Sequence, residues 1–226
     1  MLLDFFETIQ RLNYIERCSN TPHIRPYPVS QHSFYIALYS MFFATFENHR
    51  IAEENLKNFI DDDRVDRIDL FAPKNPEEDM PYDIGLVVQK ALVHDLEESI
   101  TGDILYPLHK EFNEFKKKLD EVRIYSVNKK LFSKLPFDDV RDYYIKLWEE
   151  AKDLSQEGIL VACMDKFEIL MFAVTELSMG NKAFKIIYDN AINIIEREFN
   201  IPSVNRVIKE IKARVIERAI LGSVSV

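Results

Sequence analysis

Four side chains stand in surroundings that do not suit them. His32 opens an apolar run containing Phe34, Ile36, Ala37, Leu38, Met41, Phe42 and Phe43. His94 and Asp95 close another, Leu86 to Val93, and Asp165 interrupts the most apolar stretch of the chain, Ile159 to Leu177. A lone ionised carboxylate in a core is costly, so such groups are paired or bound to metal. Two imidazoles and two carboxylates form a mixed nitrogen and oxygen donor set for one divalent cation. That set suits Mn, Fe, Co, Ni or Zn better than Ca or Mg. The competing reading is a His satisfied at a helix start and an Asp paired with Lys or Arg. Lys166 adjoins Asp165, but helix neighbours point about 100° apart, which makes it a poor partner. No short ligand motif such as CxxC or HExxH is present.

Further carboxylates follow the His-Asp pair. Glu98 lies four residues beyond His94, on the same face of a continuing helix. Asp103 sits in a Thr101-Gly102-Asp103 turn. Taken alone, Glu97 and Glu98 read as a solvated helix end and the turn as an ordinary one.

The elements that must position these groups are helical, because apolar residues recur at helical spacing nearly throughout. Leu2, Phe5, Phe6, Ile9 and Leu12 predict a first amphipathic helix, followed by a connector through Pro22, Pro26 and Pro28. Ser30 is the expected cap of the next helix, which is apolar on nearly every side and belongs in the middle of a bundle. From Glu47 to Asp83 the composition turns acidic and Pro-rich, which predicts an excursion between core helices, partly helical at its start. A calcium loop at Asp61–Asp69 fails for want of Gly at the sixth position and because Val65 replaces an oxygen ligand. Phe112, Phe115, Leu119 and Val122 predict another helix with Lys116, Lys117 and Lys118 on its solvated face. Beyond Pro136, Asp138 is the expected cap of a helix through Trp148. Gly180-Asn181 ends the long apolar helix. Two more helices follow, the last running from Val204 to Ile220 with Gly222 beyond its end. The expectation is one all-α domain over 1–226, with an inserted excursion at 47–83.

Composition narrows the function. Sixteen Phe and ten Tyr supply a sizeable core, and five Gly argue against glycine-built phosphate loops. A formal charge of −9 argues against binding nucleic acid polymers or anionic membranes. It leaves room for a small anion held by a metal ion and a local Arg. Residues 1–12 carry Asp4 and Glu7 and no basic leader, and the longest apolar run, Gly158 to Met164, is too short to span a bilayer. Cys18 and Cys163 lie far apart and read as two reduced thiols. The expected compartment is the cytoplasm.

The order His … His-Asp … Asp resembles the HD-domain phosphohydrolases, closest to the bacterial 5′-deoxynucleotidase (YfbR-like) branch. Three passages carry the likeness: Arg17 followed by Val29-Ser30-Gln31-His32-Ser33; His94-Asp95-Leu96-Glu97-Glu98-Ser99-Ile100-Thr101-Gly102-Asp103; and Met164-Asp165-Lys166 followed by Glu176-Leu177-Ser178-Met179-Gly180-Asn181. The second is the most specific. The likeness spans Phe5 to Asn190 apart from the excursion, and it implies an HD-domain helical bundle. It implies His32, His94, Asp95 and Asp165 as ligands of one divalent transition metal (Mn, Co, Fe, Ni or Zn). Arg17 would contact the substrate phosphate, Glu98 would assist proton transfer at the attacking water, and Asp103 would contact the sugar 3′-hydroxyl. The implied reaction is hydrolysis of a nucleoside 5′-monophosphate, a small anionic substrate, and the family's habits allow a homodimer. Cys18 stands where the deoxynucleotidases carry a Trp that excludes a ribose 2′-hydroxyl, so sugar selectivity is open, with Tyr14 or Tyr27 as candidates to fill the space. Gln31 replaces the acidic residue often found before the first His. The alternatives are hydrolysis of a nucleoside triphosphate or another phosphoester on the same scaffold, and a nucleotide-binding module without turnover.

Overall fold

Segments with apolar stripes, separated by Pro-bearing breaks, form helices. The computed structural model describes residues 2–60, 80–104 and 113–223. Among them there is no strand, only an isolated antiparallel bridge between Glu16 and Pro28. In chain order the helices are α1 (Leu2–Gln10), α2 (Val29–Ile60), α3 (Ile84–Val93), α4 (Glu98–Thr101), α5 (Asn113–Tyr125), α6 (Asp138–Glu149), α7 (Gln156–Ser178), α8 (Lys185–Glu198) and α9 (Pro202–Ser223). Short 3-10 turns lie at Arg11–Tyr14, Phe132–Lys134 and Lys182–Phe184, and a π-helical segment at Ser126–Leu131 extends α5. No helix among the described residues is long and apolar enough to cross a membrane.

Helix α2 departs from its expected place. Its buried residues, Val29, His32, Ser33, Ile36, Ala37, Ser40, Phe43, Ala44, Glu47 and Ile51, make one stripe at helical spacing. Phe34, Phe42 and Phe46 lie exposed on other faces. The helix is therefore packed along one side, against α3, α7 and α9, and not surrounded. Ser30 is not its cap, because the carbonyl of Pro28 already accepts the His32 N–H at 3.1 Å and α2 starts at Val29. The expected excursion begins inside α2, which runs on to Ile60. Glu47 is buried there, accepting from Arg50 Nε at 2.7 Å and from the Ser203 N–H at 2.8 Å. At the other boundary, Asp83 caps α3 by accepting the Leu86 N–H at 3.0 Å. The Asp61–Asp69 run, Pro73, Pro76, His109 and Phe112 lie outside the described residues.

Elsewhere the corrections are small. Lys116, Lys117 and Lys118 are exposed on α5, as expected. Asp138 is the first residue of α6 and pairs with Arg141 at 3.0 Å, while Phe137 holds the cap position. Helix α7 ends at Ser178 ahead of Gly180, whose φ of 88° suits glycine, and α9 runs through Gly222 to Ser223.

Two apolar clusters form the interior. The larger joins Ile36, Ala37, Ala91, Met164, Phe167 and Leu170 with much of α8 and α9. The smaller joins Phe5, Val29, Val93, Leu96, Leu131, Phe132 and Leu147. His32 falls between Val29 of the second and Ile36 of the first. His94 and Asp95 fall between Ala91 of the first and Leu96 of the second. The polar residues thus sit at the seam where the clusters meet.

Candidate metal centre

His32 lies one turn into α2, His94 and Asp95 occupy the turn after α3, and Asp165 lies in the middle of α7. All four are buried. Nε2 of His32 is 3.2 Å from Oδ1 of Asp165 and 3.6 Å from Oδ2 of Asp95, and Nε2 of His94 is 2.9 Å from that same Asp95 oxygen. One ligand atom each from His32, His94 and Asp165 falls within 4.8 Å of the others. Three of the four expected residues thus converge, and Asp95 meets both imidazoles through its Oδ2 without joining that set.

The protonation pattern follows from what surrounds each ring. Nδ1 of His94 lies 2.7 Å from the carbonyl of Ala91, which can only accept, so Nδ1 carries the proton and Nε2 presents a lone pair. Burial lowers the His94 pKa, which keeps the ring neutral. Nδ1 of His32 meets Oε2 of Glu168 at 2.6 Å, and the hydroxyl of Tyr27 donates to the same oxygen. This carboxylate fixes the His32 tautomer, as carboxylates behind metal-binding imidazoles do. Both Nε2 atoms are buried without a hydrogen-bond partner among the described residues. Two lone pairs converging with the Asp165 carboxylate, and with that of Asp95 beside them, form a donor set that fits a divalent ion.

Cationic side chains border this point. Arg17 reaches Oδ2 of Asp95 at 3.0 Å and Oδ1 of Asp165 at 3.9 Å. Lys152 lies 2.7 Å from Oδ2 of Asp165, and Lys166 lies 3.2 Å from it. The poor pairing expected of Lys166 is overturned, because a long flexible stem spans the angle between neighbouring helix positions. Burial opposes ionisation of both aspartates. Lys152 and Arg17 nevertheless hold Asp95 well below the ordinary carboxylate range, and Lys152 and Lys166 do the same for Asp165.

Glu98 behaves differently. Burial, and then the charge of Asp95, push its pKa well above the ordinary value, and its Oε2 is buried without a partner among the described residues. It does not continue the helix of His94, because α3 stops at Val93 and a turn precedes α4. Glu97 is also buried, accepting from Trp148 Nε1 at 2.7 Å, and burial raises its pKa to about 7. Neither glutamate is a solvated helix end. Gly102 takes φ 72° to turn the chain towards Asp103. The charge of Asp103 adds to the upward push on both Glu98 and Cys18. Cys18 has φ 53°, and burial lifts its thiol to about 11. Tyr14, 85 % exposed, fills no space beside it. Tyr27 is fully buried, stacked on Phe172 and 5.9 Å beneath the Arg17 guanidinium.

The sequence reading missed Glu168, Tyr27 as its donor, and Lys152. Glu168 carried the same signal as Asp165, a carboxylate inside the most apolar helix, three residues further on. Lys152 lies in the turn between α6 and α7, where no periodicity marks it.

Comparisons with known proteins show what the chain resembles. Residues 4–71 and 70–215 match the family described as 5′-deoxynucleotidase YfbR-like, the two stretches meeting inside the span 47–83 where an excursion is expected. A 5′-deoxynucleotidase of Erwinia tasmaniensis is 28% identical over 185 residues, covering 80% of this chain and 76% of that one. An HD-domain phosphohydrolase of Listeria innocua superposes with TM-score 0.70 at 24% identity, over 96% of this chain and 90% of that one. A predicted metal-dependent phosphohydrolase of Magnetospirillum magnetotacticum gives TM-score 0.61 at 19% identity, over 96% and 92%. The likeness to the Listeria innocua structure shows the fold as that of the HD domain.

Proposed function

Since the chain belongs to the YfbR-like 5′-deoxynucleotidase family, a group of hydrolytic HD-domain enzymes, we propose that it hydrolyses nucleoside 5′-monophosphates to nucleoside and phosphate. The observation that carries this reading is the pair of unpartnered imidazole Nε2 atoms converging with Asp95 and Asp165. His32, His94, Asp95 and Asp165 would hold one divalent transition metal. Such an ion, when bound, acidifies water and polarises a phosphoryl oxygen.

The chain's own residues divide the remaining work. Arg17 offers planar, permanently charged donors to the phosphate, and its Nε is still unpartnered among the described residues. Glu98, its pKa pushed up by burial and then by Asp95, suits donation of a proton to the departing 5′ oxygen. Asp103 takes the sugar 3′-hydroxyl. Cys18 borders the sugar with a small side chain, which admits ribose as well as deoxyribose. Glu168 and Tyr27 keep the His32 lone pair turned inward.

A panel of ribo- and deoxynucleoside mono-, di- and triphosphates, assayed with Mn, Co or Mg added, tests the proposal. Release of orthophosphate from monophosphates is the expected result. Tripolyphosphate or pyrophosphate from triphosphates would place the chain among nucleoside-triphosphate hydrolases. Metal bound without turnover of any member would make it a nucleotide-binding module.

A further inference from the structure

Lys152 belongs to none of the passages that carry the family likeness, yet its ammonium lies 2.7 Å from Oδ2 of Asp165 and 3.8 Å from Oδ1 of Asp95. These are not the oxygens that face the imidazoles. His32 is nearest Oδ1 of Asp165 and Oδ2 of Asp95, and Arg17 approaches those same two atoms. Each aspartate therefore turns one oxygen towards His32 and Arg17 and the other towards Lys152.

The turn that carries Lys152 is fastened on both sides. Ala151 is buried in the smaller apolar cluster. Oδ1 of Asp153 accepts from buried Lys90 Nζ at 2.8 Å, from the Ser155 N–H at 3.1 Å and from the Ser155 hydroxyl, while Ser155 Oγ accepts the Gly158 N–H at 3.1 Å to cap α7. Only glycine fits at 158, since a Cβ there would come within 2.6 Å of the Asp153 carbonyl oxygen. The backbone of Lys152 is held while its side chain, 33% exposed, runs from solvent to the carboxylates. Asp95 and Asp165 already face three cationic side chains, Arg17, Lys152 and Lys166. A divalent ion among them leaves positive charge in excess, and a phosphate dianion is the ligand chemistry that neutralises it. Arg17 is only 14% exposed, so Lys152 is the more accessible of the two cations that touch both aspartates.

We propose that Lys152 is a second phosphate-binding residue, taking phosphate oxygens on the side of the aspartates that Arg17 does not occupy. This rests on the phosphohydrolase reading above. The test compares the parent chain with Lys152→Met, which keeps the stem and removes the charge, and with Lys152→Arg. Mn(II) binding and then binding of inorganic phosphate to the Mn-loaded protein are measured by calorimetry, beside KM and kcat for a deoxynucleoside 5′-monophosphate. Lys152→Met is expected to bind Mn(II) at least as tightly as the parent, because a competing ammonium is gone. Phosphate affinity should fall and KM rise about tenfold, the scale of one lost charged hydrogen bond, with kcat changing less. Lys152→Arg should recover most of the phosphate affinity. Phosphate affinity and KM within twofold of the parent would overturn the proposal, and so would loss of Mn(II), which would make Lys152 a structural counter-ion. A parent chain that binds no metal and releases no phosphate would instead reject the underlying reading.

Discussion

A backbone carbonyl cannot donate a hydrogen bond, and that fact decides much of the chemistry at residue scale. The Ala91 carbonyl makes His94 present a bare Nε2, and Glu168 does the same for His32. The two proposed roles of the nearby carboxylates separate by substitution. Asp95→Ala removes an oxygen that faces both imidazoles, and it should abolish both metal binding and turnover. Glu98→Gln leaves those contacts intact and removes only the transferable proton. It should retain metal, seen by elemental analysis, while kcat falls roughly 10²- to 10³-fold, the usual yield of general acid catalysis. Turnover by Glu98→Gln at the parent rate would remove Glu98 from the mechanism. The sequence exposed Asp165 because a carboxylate amid apolar residues demands a partner. It hid which partner that is, since Lys152 arrives through the chain's tertiary path, and side-chain length defeats an angular argument against Lys166.

At the scale of elements, α7 carries the greatest burden, and its two ends are held differently. Its start depends on Gly158 packing against the turn that holds Asp153, with backbone atoms on the far side of the contact that cannot step aside. Gly158→Ala should therefore destabilise the fold by about 2 kcal/mol, the cost of overpacking, read from a urea midpoint. Its other end is tied to the Pro22–Pro28 connector by Glu176. Its oxygens accept the N–H groups of Ile24 at 2.8 Å and Arg25 at 3.0 Å and the Asn181 amide at 2.7 Å. Burial works against this charge, but the three donors outweigh it and the pKa lies below its ordinary 4.5. A depressed folded-state value means the stabilisation is complete above 4.5 and is lost as pH falls through the lower value. Glu176→Gln should thus cost about 1.5–3 kcal/mol near neutral pH, with the difference from the parent shrinking in acid. A difference independent of pH would show that the charge is not what holds the connector. Helical periodicity made these elements legible in the sequence, and the stop at Gly180-Asn181 was legible from glycine's backbone freedom. The one-sided burial of α2 was not, because Phe34, Phe42 and Phe46 look like core residues until the neighbouring helices are placed.

On the scale of the whole molecule, the site is also a joint. Its proposed ligand atoms come from α2, from the turn after α3 and from α7, at the seam between two apolar clusters. An ion that bridges these three elements binds the folded chain and not the unfolded one, so metal affinity adds directly to stability. The net charge of −9 favours the arrival of a divalent cation and opposes that of a phosphate dianion, which makes local cations necessary for the second. At a free Mn(II) concentration 100-fold above its dissociation constant the gain is about 2.7 kcal/mol. For a chain of this length each kcal/mol moves the melting midpoint by about 2–4 °C, so Mn(II) should raise Tm by about 5–10 °C and a chelator should reverse it. Asp95→Ala should abolish the shift, whereas Glu98→Gln should keep it. A full shift in Asp95→Ala would locate the ion elsewhere in the molecule and leave the seam a hydrogen-bonded network without a cation.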